Sequence, residues 1–167
     1  MDTNRKPKNT ICLWFDKDAE DAARFYTSTF PESAMGEVMR APGDYPAGQQ
    51  GQALTVAFTL CGISYIGLNG GAYEDGKPSN AYSLQVFTDD QAETDRLWDA
   101  ILGNGGSAMQ CGWCKDKWGF AWQIVPRALM EGMADPDPAA RQRVFQAMMQ
   151  MVKIDIATIE AAARGDA

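Results

Sequence analysis

The sequence predicts an α+β fold: a β-α-β-β order stated twice, followed by a helical extension. Three observations predict it. Two short alternating apolar runs, Ile11 to Phe15 and Tyr82 to Phe87, each lead through acidic residues into an amphipathic helical stripe. The two helical faces match at one constant spacing, Arg24 with Arg96, Tyr26 with Trp98 and Phe30 with Leu102. Beyond Pro126 the pattern turns wholly helical.

The elements follow in order. Ile11 to Phe15 alternates with period two, as a half-buried strand does. Asp16 or Asp18 can cap the helix behind it, whose stripe is Ala19, Ala22, Ala23, Tyr26 and Phe30. Pro31 ends that helix. The stretch "MRAPGDYPAGQQGQ" is a loop rich in Gly and Pro. "ALTVAFTLCGISYIGLNGG" is a hairpin with arms Leu54 to Leu60 and Ile63 to Asn69 about a Cys61-Gly62 turn. "GGAYEDGKPSN" links the halves.

In the second half, Thr88 or Asp89 caps a helix with the stripe Leu97, Trp98, Ile101 and Leu102, and Gly103 closes it. Strands over Ala108 to Trp113 and Phe120 to Val125 flank the turn-like "CKDKWG". One extra strand fits in each half. Asp137 and Pro138 form an N-cap and N1 pair opening a helix to about Met151. A last helix runs from about Asp155 to Ala163, ended by Gly165. The divisions are 1–72 for the first module, 73–127 for the second and 128–167 for the helical extension, all in one structural domain.

Composition excludes several function classes. The chain has 167 residues, 46% of them hydrophobic, which suits one ordinary core. Its net charge is −7 without a basic patch, which argues against nucleic acid as a partner. No apolar run is long enough to span a membrane, and the polar start reads as no secretory signal. Four cysteines then suggest free thiols in a reducing cytoplasm. There is no histidine at all. His-based zinc and iron sites and Ser-His or Cys-His pairs therefore cannot be built. Acid–base work would fall to carboxylates, Lys, Tyr or a thiol.

The local strings carry a resemblance. "LWFDKDAEDAARFY", "GISYIGLNGG", "SLQVFTDDQAETDRLWDAI", "CGWCKDKWGFAWQIVP" and "DPDPAARQRVFQAMMQMVKIDIATIEAA" resemble the PhnB-like family, often labelled 3-demethylubiquinone-9 3-methyltransferase. That family is similar to the vicinal oxygen chelate superfamily, with glyoxalase I and the bleomycin-resistance proteins. The resemblance implies two βαβββ-type modules whose mixed sheets curve into a cup, formed within one chain or between two. It also implies a homodimer. In the superfamily, the concave face carries metal ligands from the first and last strands of each module.

Strand parity then points Cys12 and Trp14 toward the cup, away from Ile11, Leu13 and Phe15. In the strand ending "GLNGG" it points Tyr65, Gly67 and Asn69 there, with Ile66 and Leu68 in the core. In the second module it points Ser83 and Gln85, then Ala121, Gln123 and Val125, to the cup. The positions resembling metal ligands thus hold Cys12, Asn69, Ser83 or Gln85, and Gln123, a neutral set poor for hard cations or zinc. No metal and no cofactor is expected.

"QCGWCKDKWGFAWQIVP" holds a C-x-x-C pair, Cys111 and Cys114, and three of the five tryptophans. A redox C-x-x-C precedes a helix, whereas here a turn and a strand follow. A zinc site would want a second C-x-x-C, which Cys12 and Cys61 do not make. The pair reads as part of a hairpin whose Trp113 and Trp118 pack across strands or over the cup mouth. Asp116 and Lys117 lie in the hairpin, where they could do acid–base work but read first as exposed turn charges.

Three function classes follow. A cup lined by Cys12, Trp14, Tyr65, Asn69, Ser83, Gln85, Trp113, Trp118 and Gln123 suits a small, partly apolar or aromatic ligand held by neutral hydrogen bonds. An enzyme is the alternative: the family label implies methyl transfer to a quinone precursor, and the superfamily implies lyase-like or dioxygenase-like activities. No G-x-G-x-x-G loop is present to hold a nucleotide-like cofactor, and no catalytic residue stands out. The third class is an interaction protein, whose helix with Val144, Phe145, Met148, Met149, Met151 and Val152 closes a dimer or packs on its own sheet.

Overall fold

Residues 8–73 and 78–166 are described by the computed structural model. Part of the expected link, residues 74–77, lies outside them. The chain divides into two compact units, up to residue 76 and from residue 77.

The first unit runs β1 (Ile11–Phe15), α1 (Ala19–Thr29), β2 (Ala34–Arg40), β3 (Ala53–Leu60) and β4 (Ile63–Asn69). Its sheet has the order β1-β4-β3-β2, with β1 parallel to β4 and the other pairs antiparallel. The second unit runs β5 (Leu84–Thr88), α2 (Gln91–Gly103), β6 (Ser107–Ala108), β7 (Trp113–Lys115) and β8 (Ala121–Pro126). Its order, β5-β8-β7-β6, repeats the first, again with one parallel pair, β5 with β8. Each unit is therefore a βαβββ module, and the extra strand of each half is β2 or β6. Both open sheets, with the helical tail, make the α+β architecture of two like modules and a helical extension that the sequence predicts.

Each helix covers one face of its own sheet. From α1, Ala19, Ala22, Ala23 and Tyr26 are buried with Leu13, Phe15, Val56 and Phe58. From α2, Thr94, Leu97, Trp98 and Ile101 are buried with Val86, Trp122 and Ile124. Gly67 lets α1 come close, because a Cβ there would sit 3.1 Å from that of Ala19.

The caps differ from expectation. Asp18 is the N-cap of α1, but its side chain makes no capping bond. The Oδ1 of Asn69, at the end of β4, accepts from the Ala19 backbone N–H at 2.9 Å instead. For α2 the cap is Asp90, not Thr88 or Asp89. Its carboxylate accepts from Glu93 N, and the Glu93 carboxylate accepts from Asp89 N, one residue before the cap. Thr88 is buried, with its hydroxyl bonded to that of Thr94.

The tail forms α3 (Arg127–Met133), α4 (Pro138–Met148, shorter than expected) and α5 (Ile156–Arg164). Asp137 caps α4 and Gly165 closes α5 at positive φ, as the sequence indicates. The tail packs within the second unit. Leu129, Val144, Ile154 and Ile159 bury Val125, with Met148 and Met151 against them. Lys153 pairs with Asp95 of α2 at 2.7 Å, and the Gln91 side-chain amide donates to the Ile154 carbonyl and accepts from the Ile156 N–H.

Candidate functional site

The face of each sheet turned away from its helix carries the candidate residues, and register decides which they are. In the first unit, β1 pairs with β4 so that Leu13 lies beside Gly67 and Phe15 beside Asn69. Paired neighbours share a face, so Tyr65, Gly67 and Asn69 point to α1. This corrects the parity read from sequence. Tyr65 is buried and stacks on Phe58 with centroids 5.3 Å apart. Burial first, and the nearby Cys61 second, push its hydroxyl pKa up. Asn69 is fully engaged, accepting from Ala19 and donating to the Ala53 carbonyl at 2.9 Å.

The open face of that sheet holds Cys12 and Trp14, as expected, but beside Ile66 and Leu68 of β4 and Ala57 and Thr55 of β3. The first and last of these strands thus exchange a polar pair for an aliphatic one. Burial raises the pKa of the Cys12 thiol, so it stays neutral at physiological pH.

In the second unit, parity and structure agree. Val86 and Ile124 face α2, while Gln85, Gln123, Phe87 and Val125 share the other side. Trp113 pairs with Gln123 and joins them. The Gln123 amide donates to Ser83 Oγ at 2.7 Å. Val125 is covered by the tail, which closes that end of the face.

The hairpin is anchored by Asp116, which is buried at 4% exposure and not an exposed turn charge. One carboxylate oxygen accepts from the Trp118 and Phe120 backbone N–H groups, both at 3.0 Å, and the other from the Trp122 indole at 2.9 Å. Only Lys117 behaves as an exposed charge, resting 4.6 Å over the half-buried Trp118 ring. The strand expected over Ala108 to Trp113 is broken at Cys111-Gly112, whose φ values, +58° and +79°, make a tight turn closed by Trp113 N to Gln110 O. Cys61-Gly62 has the same conformation, with φ of +47° and +78°. The recurring Cys-Gly dipeptide was the signal for it. Cys114 points to the core and is fully buried, while Cys111 sits in the turn. No helix follows either. Burial, then the Asp116 charge, lift the Cys114 pKa to about 12.

The metal that the resemblance implies does not fit this donor set. Asn69 faces α1 and is held there by Ala19 N and the Ala53 carbonyl, Gln123 is bonded to Ser83, and Cys12 is a neutral thiol. Among the described residues no three His, Cys, Asp or Glu side chains come together as a metal site.

Sequence reasoning also missed a cleft of about 560 Å³ in the first unit, lined by Lys17, Asp18, Arg40, Tyr45, Gln52 and Asn69 among others. It opens under the loop over residues 41–52, and Glu20 links Arg24 and Arg40 at its wall.

A family model described as 3-demethylubiquinone-9 3-methyltransferase matches residues 7–125. Among solved structures the chain is similar to a putative 3-demethylubiquinone-9 3-methyltransferase, PhnB protein, from Bacillus cereus. The two are 27% identical over 72% of this chain and 99% of that one, with a TM-score of 0.64. Protein PA1353 from Pseudomonas aeruginosa is similar in fold, at 17% identity over 72% of this chain and 98% of that one, with a TM-score of 0.59. No curated protein matches the chain. The helical tail lies beyond the residues that the family model covers.

Proposed function

The chain belongs to the PhnB-like, 3-demethylubiquinone-9 3-methyltransferase family, and from that premise we propose that it binds a small, partly apolar or aromatic molecule on an uncovered sheet face, without a metal. One observation carries the reading. The uncovered faces hold neutral and apolar side chains in mid-sheet, Cys12, Trp14, Ile66 and Leu68 in one unit and Gln85, Phe87, Trp113 and Gln123 in the other. Trp14 and Phe87 are each 42% exposed there. Such a surface recognises a ligand by area and a few neutral hydrogen bonds. Tyr65 and Asn69 leave the expected set, and Ile66, Leu68 and Phe87 enter it.

Native mass spectrometry of protein purified without denaturation tests this. A stoichiometric small molecule, lost on unfolding, supports the reading. Failure of any apolar or aromatic compound to bind in calorimetry sinks it.

The family description favours a second reading, methyl transfer to a quinone precursor. It requires saturable binding of S-adenosylmethionine, which calorimetry measures directly. On the binding reading no such isotherm appears.

Two further parts of the proposal concern setting. No helix among the described residues is long and apolar enough to cross a membrane. A cytoplasmic homodimer is consistent with the four free thiols and with Phe145 on α4 and Met149 at its C-cap, which are exposed while Val144 is buried in the tail's own core. Light scattering at micromolar concentration should give twice the chain mass.

A further inference from the structure

Trp14 is built into the first unit as a rigid surface. Its indole N–H donates to the Gly71 carbonyl at 2.7 Å, and its own carbonyl accepts from the Tyr73 hydroxyl. Gly70 lies directly behind the ring. A Cβ there would fall 2.2, 2.4 and 2.5 Å from Cζ2, Cε2 and Cη2 of the indole. Near-equal distances to three consecutive ring atoms place Gly70 behind the face of the ring rather than at its rim. One face of the indole is thus backed by glycine, the edge is held by a hydrogen bond, and yet 42% of the residue is exposed. An aromatic side chain fixed in this way loses little entropy when something stacks on it.

The second unit shows what the same position looks like when a cation already stands over its ring. Trp14 pairs with Leu68 as Phe87 pairs with Val125, so Phe87 is the counterpart of Trp14. The Phe87 ring carries the Arg127 guanidinium 5.5 Å from its centroid, and Arg127 is bonded in turn to Asp89 at 2.8 Å. Among the described residues no such cation stands over Trp14. The strand neighbours of Trp14 on its face, Cys12, Ile66, Leu68, Thr55 and Ala57, are all uncharged.

We propose that the free face of Trp14 is the stacking platform for a planar, uncharged aromatic ring of the ligand, and that it sets the preference for planar over saturated rings. This rests on the binding reading above and adds which residue selects and for what. Phe87 is not a second platform, because Arg127 occupies it.

The test uses the full chain with its five tryptophans replaced by 5-fluorotryptophan, and two probes of like size. These are 2-naphthol, which is planar, and decahydro-2-naphthol, which is not. The expected result is that 2-naphthol moves the Trp14 fluorine resonance and binds about tenfold tighter than the saturated probe, a difference that one aromatic stack supplies. Trp14→Leu should remove that preference. Gly70→Ala, which keeps the indole but pushes it off its seat, should weaken it; the other four resonances report that the fold is intact. If both probes bind and Trp14→Leu discriminates as well as the parent, the platform is overturned and the binding reading stands. If neither probe binds the parent chain, both fall together.

Discussion

In the first unit, α1 sits on its sheet through Ala19, Ala22 and Ala23, drawn close by Gly67 and capped at Ala19 by Asn69, 50 residues further along the chain. In the second, α2 sits through Leu97, Trp98 and Ile101 and caps itself with Asp90 and Glu93. Register explains the exchange. Phe15 pairs with Asn69, and Thr88 pairs with Pro126 at the matching place. Proline offers no side-chain acceptor, so α2 must supply its own cap. The same topology is therefore held by long-range chemistry in one unit and by local chemistry in the other. A second contrast lies between β2 and β3, where the first unit has the loop over residues 41–52. Between β6 and β7 the second unit has only the Cys111-Gly112 turn. The tail takes up that turn's free donors, with Cys111 N bonded to Met151 O and Gly112 N to Val152 O.

The largest expected effect breaks the second unit at its buried anchor. Asp116→Ala leaves the Trp122 indole and two backbone N–H groups without their acceptor. It should cost about 3–5 kcal/mol, read from the urea midpoint. No single change to a charged side chain of the first unit should match it.

The two caps should rank next. Asn69→Ala removes a long-range cap and also strands the Ala53 carbonyl, about 2–3 kcal/mol together. Asp90→Ala removes a local cap at about 1 kcal/mol. Equal losses in chemical denaturation would show that α1 finds another cap, Asp18 being in place for it.

A smaller effect concerns the thiols. Cys114 ionises near 9 when unfolded and near 12 when folded, so the unfolded chain releases its proton first as pH rises. Its contribution is complete below about pH 9 and declines from there toward 12. Thermal melts across that range should fall less steeply for Cys114→Ala. In the native protein at pH 8, iodoacetamide should label Cys111 and spare Cys114.

The smallest effect is at the tail's surface pair. Lys153→Met should cost under about 1 kcal/mol and show mainly as faster proteolysis of the tail. Bonding to Lys153 lowers the Asp95 pKa, and bonding to Asp95 raises that of Lys153. The pair's contribution is therefore present at neutral pH. It is lost in acid as Asp95 protonates, below the usual carboxylate range, and in strong base as Lys153 deprotonates.

By itself the sequence determined whatever depends on neighbours along the chain. The period of two in Ile11 to Phe15, the alanine stripe of α1, the Cys61-Gly62 turn, the Asp137-Pro138 start and the Gly165 stop are all local, and each lies where its residues indicate. So are the repeat and the family strings, which fixed the fold. The inward and outward sides of β5 and β8 were legible too, because Val86, Trp122 and Ile124 leave one apolar side against polar glutamines. In β4 apolar residues fall on both sides, Ile63 and Tyr65 on one and Ile66 and Leu68 on the other, so alternation there is ambiguous. Gly67, a glycine inside a strand, was the one local hint of the face that meets the helix. Only the tertiary structure decided the rest. The pairing of Ile11 with Tyr65 turned Tyr65 and Asn69 to the helix and Ile66 and Leu68 to the open face. Register is fixed by contacts between strands more than fifty residues apart, and a slip of one residue reverses every side chain. The burial of Asp116 likewise needed Trp122 to arrive from the next strand, and the seat of Trp14 needed Gly70 and Gly71 to fold back behind it.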